Sequence, residues 1–346
     1  MAVRSAFEPG PAPQKMPSSR REIRTEMANQ FSVAQAIWDN RERLREVLPE
    51  LRAVRTALED ATGGPRDFVQ QQWLQLISVV FAFKPDLIIE LGRGYGNSTC
   101  SLAIAAKMLR PQPCRILSLC LASSFRDVSR PYLDAHHGDA ALFAPLEALN
   151  CDISTYDFAA DVAAAKRVFV FWDAHGYDLA MGILSRLFPL LQDKPHLSIV
   201  HDMADLSYMD QELRRYGTDN GWLRHRSAPP KYILGDVGAQ FEEGIALVDF
   251  LGRNRVPFRS AESSYFTGLT DSQADELTEL FGTDFSRFGF WYSFSLNERG
   301  EAPLTFPAPP PAPPVVSSPP EAVSVSPEPK DEPVPKKSGI FRFFRN

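Results

Sequence analysis

Apolar residues in the stretch 21–61 recur at steps of three and four positions, which is the spacing of one face of an α-helix. Pro49 lies inside this stretch, and because proline has no amide donor for a helical turn, we expect two helices here. Residues 63–65 (GGP) end the pattern, and another helix is predicted over 68–81. The sequence therefore predicts an N-terminal helical extension over residues 21–64.

Beyond this extension, short apolar runs alternate with helical patterns. Strands are predicted at 87–90, 115–121, 167–172 and 197–200, with a short one inside 133–149. Helices are predicted at 98–109, 157–165 and 178–191, and a further one lies inside 133–149. This alternation predicts an α/β fold, a Rossmann-like doubly wound sheet that is mostly parallel with right-handed crossovers. Such sheets bind ligands outside the carboxyl ends of their strands, so the residues that follow each strand are the candidates for chemistry.

The first strand end combines an acid with a glycine-rich turn. The stretch 87–99 reads LIIELGRGYGNST, in which Glu90 precedes three glycines at two-residue spacing and a helix start. Glycines let the backbone turn tightly beside a ligand, and the helix start offers unpaired N–H groups. The spacing differs from the G-x-G-x-x-G of dinucleotide-binding folds, and the Lys-Ser/Thr end of a Walker loop is absent. The turn is typical of a nucleotide-type cradle.

Two later strand ends carry polar clusters. Asp173 and His175 follow the apolar run RVFVFW, and His201 and Asp202 follow LSIV. A carboxylate or imidazole directly after a buried strand is costly unless it faces a cleft or a partner. We therefore expect the three strand ends to converge on one crevice.

The pattern E-x-G-x-G-x-G resembles the first motif of the class I S-adenosylmethionine (SAM) methyltransferases. The stretches WDAHGYD and IVHD resemble a subset of them, methyltransferase family 24, near the cephalosporin-hydroxylase-type proteins. The resemblance covers Phe68 to Asp202. It implies a SAM-dependent enzyme that methylates a hydroxyl of a small molecule or saccharide, in a domain over residues 65–300. It also implies that the aromatic stretch 288–296 is the antiparallel edge strand of the sheet, while 244–251 is expected to be buried.

The resemblance also implies roles for individual residues. Those expected to line SAM are Glu90, Gly92, Gly94, Gly96, Asn97, Ser98 and Asp152. Those expected to face the methyl acceptor, as the catalytic set, are Asp173, His175, His201 and Asp202. Asp173 and Asp202 could together hold Mg²⁺, which suits oxygen ligands; without a metal, His175 or His201 would be the general base.

One departure from that family lies after the second strand. Most class I methyltransferases place an acid there to bind the ribose hydroxyls, and this chain has Leu121 and Ala122 instead. Either Ser123 or Ser124 substitutes for the acid, or SAM binding is impaired. The alternative function is therefore a catalytically silent methyltransferase-fold scaffold or adaptor. The missing acid also disfavours NAD, whose ribose needs an equivalent group.

Composition narrows the class of protein. The net charge of −6 gives no basic excess for nucleic acid, and the four cysteines show no metal or disulfide spacing, so we expect reduced thiols in a cytoplasmic protein. A secretory signal and a membrane-spanning run are absent from the sequence pattern.

The two ends of the chain differ from its centre. Residues 1–20 are rich in Pro and Ser and are expected to be disordered, and residues 301–335 hold 13 of the 29 prolines, which predicts a disordered linker. The final segment, 336–346, carries four basic and three Phe side chains. This segment is a candidate for attachment to a membrane surface or to a protein partner, and the alternative is a disordered end.

The N-terminal helical extension has two candidate roles. It either closes the substrate side of the domain or forms the contact of a homodimer.

Overall fold

The computed structural model describes residues 32–65, 68–137, 139, 141–201, 235–260, 269–286, 291–299 and 302–309. In this part of the chain the helices are α1 Val33–Asp39, α2 Arg41–Thr62, α3 Gln70–Phe83, α4 Asn97–Met108, α5 Arg130–His136, α6 Ala159–Ala164, α7 Tyr177–Arg186, α8 Phe188–Leu191, α9 Gly235–Arg253 and α10 Asp271–Phe281. The strands are β1 Leu87–Leu91, β2 Arg115–Cys120, β3 Leu146–Asn150, β4 Val168–Trp172, β5 His196–Val200, β6 Arg259–Ser260 and β7 Tyr292–Phe294.

These strands form one sheet in the order β3-β2-β1-β4-β5-β7-β6. The first five pair in parallel, and β7 runs antiparallel to both β5 and β6. The expected Rossmann-like, mostly parallel sheet is confirmed. The order reverses between β1 and β4, so the crevice at their carboxyl ends is the switch point at which such sheets bind ligands.

Side chains alternate between the two faces of the sheet and build a separate core on each. Ile88 and Phe169 point to the face covered by α1 to α4, whereas Ile89 and Val170 point to the face covered by α6, α7 and α9. Since both faces are buried, the parallel strands read as continuous apolar runs. Glu90 shares the face of Ile88, which places its carboxylate under α4.

The expectation that Pro49 divides the N-terminal helix was wrong. Helix α2 continues through Pro49, and the break lies at Asn40 instead. An internal proline costs about 3 kcal/mol. The apolar stripe of α2, made of Leu44, Leu48, Leu51, Val54 and Leu58, is almost completely buried and outweighs that cost.

The C-terminal part agrees with the sequence in outline and differs in detail. Strand β7 is antiparallel as expected, but the edge of the sheet is the two-residue strand β6, which the sequence pattern did not indicate. The stretch 244–251 belongs to α9 and is buried on one side only, since Ile245 and Val248 are exposed. Leu304 and Phe306 pack on the core, so the first part of the expected linker is attached to the domain.

Several sequence expectations fall on residues outside the described ranges. They concern residues 1–20, the first part of the helical extension, Asp202, most of the linker and the tag at 336–346. The four cysteines are unbridged in the structure. Within the part of the chain that the structure describes, no helix is both long and apolar enough to cross a membrane.

Strand β5 begins with a buried histidine that ties it to the turn after β7. One ring nitrogen of His196 lies 2.9 Å from the carbonyl oxygen of Lys194, and the other accepts the amide N–H of Leu296 at 2.9 Å. Complete burial lowers the pKa of His196 to about 4, because the apolar surroundings disfavour the imidazolium.

We expect His196 to make the fold acid-sensitive. Its unfolded imidazole takes a proton near pH 6.5, whereas the folded one does so only near pH 4, so stability is complete above this window and is lost as the pH falls through it. The loss is on the order of 3 kcal/mol. Urea unfolding across this pH range should show a shallower dependence in His196→Gln than in the exposed-site control His136→Gln. Equal pH dependence in the two variants would contradict this assignment.

Candidate functional site

The glycine turn after β1 is packed tightly at both ends and open in the middle. A Cβ on Gly92 would lie 1.9 Å from the carbonyl oxygen of Asp173, and one on Gly96 would lie 2.2 Å from the ring of Phe125. Gly94 has a φ of +51°, and among the described residues no atom lies within 4 Å of its would-be Cβ. The turn therefore locks β1 against β4 and leaves its centre facing open space, as a ligand cradle requires.

Glu90, the acid before the turn, lies beneath the cradle. Its carboxylate accepts hydrogen bonds from Ser98 (2.6 Å) and Thr99 (2.8 Å) of α4 and from Ser118 of β2. Burial raises its pKa, while these three hydroxyls and the neighbouring Arg93 act in the opposite direction. In this arrangement Glu90 and Ser98 anchor the first turn of α4, and their expected contact with SAM stays a prediction. Asn97, at the start of α4, is partly exposed.

A buried arginine that the sequence analysis did not single out connects three strand ends. Arg93 is only 3% exposed, and its guanidinium donates to the carbonyl (2.8 Å) and hydroxyl (3.0 Å) of Ser118 and to the carbonyl of Leu149 (3.4 Å). The signal available in the sequence was a charged residue inside a glycine turn that follows a buried strand. Its positive charge partly balances Glu90.

Among the described residues, no carboxylate directly follows β2, where a ligand would meet the end of the strand. Leu121 follows the strand and is 76% exposed, and the hydroxyl of Ser123 is engaged by Asp127. Asp152, expected near the adenine, follows β3 and is exposed. One of its oxygens caps the next turn by accepting from the amide (2.9 Å) and hydroxyl (2.7 Å) of Ser154.

The ends of β4 and β5 meet beside the glycine turn. Oδ1 of Asp173 lies 2.9 Å from Nδ1 of His201 and 3.7 Å from Nε2 of His175. Because Gly92 also contacts the Asp173 backbone, the polar ends of β1, β4 and β5 converge on one crevice. Asp202 lies outside the described residues.

Helix α9 adds a carboxylate that the sequence analysis missed. Oε2 of Glu243 lies 2.7 Å from Nδ1 of His175, and Glu243 is 1% exposed. It lies on the same helical stripe as the buried Leu247 and Phe250, and a charged residue at an apolar position of a helix was the available signal.

The contact with Glu243 orients the imidazole of His175. An ionised carboxylate only accepts hydrogen bonds, so an ionised Glu243 would hold the N–H of His175 on Nδ1. The Nε2 atom is left facing Asp173, and the side chain remains 23% exposed. A proton taken up at Nε2 would produce an imidazolium between two carboxylates.

His201 is more deeply buried and lies between Asp173 and helix α3. Its Nε2 atom is 2.8 Å from Nε2 of Gln72, and it is 2% exposed. Both ring nitrogens have partners, so this imidazole is built to hold Asp173. Among the residues that the structure describes, no group of three or more His, Cys, Asp or Glu side chains is placed to hold a metal ion.

No protein-family model matches the chain, and no curated protein matches it. Similar solved structures include a cofactor-bound protein from MTB, Rv0187, with 16% identity over 72% of this chain and 90% of that chain and a TM-score of 0.41. The O-methyltransferase TomG from Streptomyces achromogenes, in complex with SAM, has 18% identity over 60% of this chain and 80% of that chain and a TM-score of 0.36. An O-methyltransferase from Bacillus cereus, in complex with SAH, has 16% identity over 60% of this chain and 81% of that chain and a TM-score of 0.39. With identities of 16–18% and TM-scores below 0.5, these similarities do not indicate what chemistry this chain performs. The chemistry has to be inferred from the residues of the site.

We expect the first two glycines of the turn to respond differently to substitution. In Gly92→Ala the new methyl group would overlap the backbone of Asp173, so β1 and β4 must separate at a cost above about 4 kcal/mol. In Gly94→Ala only the left-handed backbone is strained, at about 1–2 kcal/mol. Urea unfolding of both variants measures the contrast, and equal losses would contradict the packing described for Gly92.

Proposed function

We propose that the chain is a SAM-dependent methyltransferase that acts on a hydroxyl group of a small molecule or saccharide. The observation that carries this proposal is the His175 imidazole. Its Nδ1 is held by the buried Glu243 and its Nε2 faces Asp173, beside an open glycine turn. Methylation of a hydroxyl needs a base for its proton, and a neutral imidazole in this setting is such a base.

The cradle suits the amino-acid end of SAM. Helix α4 starts at the glycine turn, has no acid in its first turn, and has Gly96 at its N-cap, which offers no side chain to cap the first N–H groups. These N–H groups and the positive end of the helix favour an anion such as the SAM carboxylate. The space in front of Gly94 lets a ligand approach the backbone closely. The ribose end has a weaker fit, because β2 ends without an acid.

The proposed mechanism assigns one task to each polar side chain. When bound, SAM supplies an electrophilic methyl group carried on a positively charged sulfur. His175 would take the acceptor's hydroxyl proton on Nε2, which would make that oxygen a nucleophile for the methyl group that SAM would supply. Glu243 would fix the tautomer that carries its N–H on Nδ1, and Asp173 would stabilise the imidazolium that results. The crevice contributes in-line alignment of oxygen and methyl group.

Mg²⁺ on Asp173 and Asp202 stays a prediction from the family resemblance. Asp173 already accepts a hydrogen bond from His201 on Oδ1, so a cation would have to use its other oxygen. The mechanism above takes no step through a metal, and an acceptor screen with and without Mg²⁺ tests that point.

The second candidate function is the catalytically silent scaffold or adaptor, tethered through the segment 336–346. Two observations favour it. The Glu90 carboxylate is completely buried and engaged by hydroxyls, and Leu121 stands exposed at the position of the ribose acid. Such a module would keep the fold and bind SAM weakly or not at all.

Calorimetric titration with SAM and S-adenosylhomocysteine separates the two functions. We expect binding with a Kd on the order of micromolar for the wild type. Gly94→Asp should abolish it, because the new carboxylate would repel the SAM carboxylate at the cradle. Gly63→Asp is the matched control, since Gly63 also has a positive φ (+73°) and open surroundings. Absence of binding at millimolar ligand would contradict the enzyme proposal and favour the silent module.

The assigned base predicts a specific kinetic pattern. With the hydroxyl acceptor found in a panel of phenols and saccharides, His175→Ala should lower kcat on the order of 10²- to 10⁴-fold. Glu243→Gln should lower kcat at least about 10-fold, because the amide can turn its NH₂ group to Nδ1 and favour the wrong tautomer. The exposed-site control His136→Ala should match the wild type. Unchanged kcat in His175→Ala would remove the base from the mechanism.

A further inference from the structure

The glutamine at the start of helix α3 has a side-chain orientation that its surroundings fix. The backbone N–H of Val69 donates to Oε1 of Gln72 at 2.7 Å, as part of the N-terminal cap of α3. A backbone N–H can only donate, so the oxygen of the Gln72 amide has to face Val69. The NH₂ group of Gln72 therefore faces the other way, towards His201.

This orientation determines the tautomer of His201. Nε2 of Gln72 lies 2.8 Å from Nε2 of His201, and an amide NH₂ group can only donate. The ring nitrogen facing it must accept, so it carries no proton. The proton of the neutral ring is then on Nδ1, which donates to Oδ1 of Asp173 at 2.9 Å. This is the opposite of the tautomer that free histidine favours.

Aromatic rings around His201 hold its imidazole in place. The rings of Phe68, Phe171 and Trp291 lie with their centroids 5.4, 6.2 and 5.2 Å from that of the imidazole. The NH₂ group of Gln72 would oppose an N–H on Nε2, so the contact between these two atoms requires an unprotonated ring nitrogen there. His201 is thus a neutral donor aimed at Asp173.

We propose that Gln72 is a positioning residue of the site: it fixes His201 as a neutral Nδ1–H donor, which in turn holds Asp173 facing His175. This inference rests on the proposed function for its consequence, because Asp173 stabilises the imidazolium formed on His175. A hydrogen bond from a neutral His201 does not neutralise the negative charge of Asp173, which then stabilises the imidazolium. A charged His201 would compete with His175 for the charge of the same carboxylate.

The tautomer is measured directly by long-range ¹H–¹⁵N NMR of the histidine rings in the full chain. His201→Gln identifies the signals, as the set that disappears. We expect a protonated Nδ1 and an unprotonated Nε2 in the wild type. Gln72→Glu keeps an oxygen for Val69 and places a carboxylate against Nε2, so both ring nitrogens should be protonated there. Gln71→Glu is the matched control, since Gln71 bonds the carbonyl of Thr283 instead, and it should retain the wild-type tautomer.

The kinetic consequence separates positioning from folding. With the acceptor found in the panel of phenols and saccharides, we expect Gln72→Glu to lower kcat on the order of 10-fold, a fraction of what the base itself contributes, with KM changed less than about twofold. Gln71→Glu should leave both constants unchanged.

The NMR and kinetic measurements test the tautomer of His201, the positioning role of Gln72 and the proposed function separately. A protonated Nε2 on His201 in the wild type overturns the inference, whether or not the chain transfers methyl groups, and it needs no variant that might misfold. A changed tautomer in Gln72→Glu with unchanged kcat overturns the positioning role. If the wild type transfers no methyl group, the proposed function fails and the positioning role fails with it, while the tautomer of His201 is decided independently.

Discussion

The contact between Gly92 and the carbonyl oxygen of Asp173 is the constraint on which the rest of the site depends. Any side chain at position 92 would overlap that oxygen, so the ends of β1 and β4 can approach each other only because this residue is glycine. The approach brings the glycine turn next to Asp173, and Asp173 in turn contacts His201 and faces His175. One backbone contact thus unites a ligand cradle with its candidate catalytic groups.

Two buried polar networks support this crevice on either side. Glu90, Arg93 and Ser118 hold the turn from below and join β1, β2 and α4. Glu243 and Gln72 hold the two imidazoles from α9 and α3. Buried charged groups depend on hydrogen bonds from well-placed partners, and these contacts come from different elements, so both networks favour a single arrangement of the strand ends.

The two halves of the crevice differ in how well they suit a cofactor, and this difference bears on whether the chain is an enzyme or a catalytically silent module. The half formed by the turn, α4 and the end of β4 has an open cradle and a supported imidazole. The half formed by β2 and β3 has an exposed Leu121, the buried Arg93 bonded to the carbonyl of Leu149, and the cap residue Asp152. A cofactor bound here would therefore depend more on the helix terminus than on carboxylates around the ribose.

The sequence by itself determined the alternation of strands and helices, the glycine turn and the polar strand ends, because periodicity and strand-end chemistry are local properties of the chain. It misjudged Pro49, since the burial that carries α2 through a proline is a tertiary quantity. Only the tertiary structure decided that Glu90 points beneath the cradle and that Glu243 and Gln72 reach the imidazoles. Gln72 and Glu243 lie 129 and 68 positions from their histidine partners, and no local pattern encodes contacts across such separations.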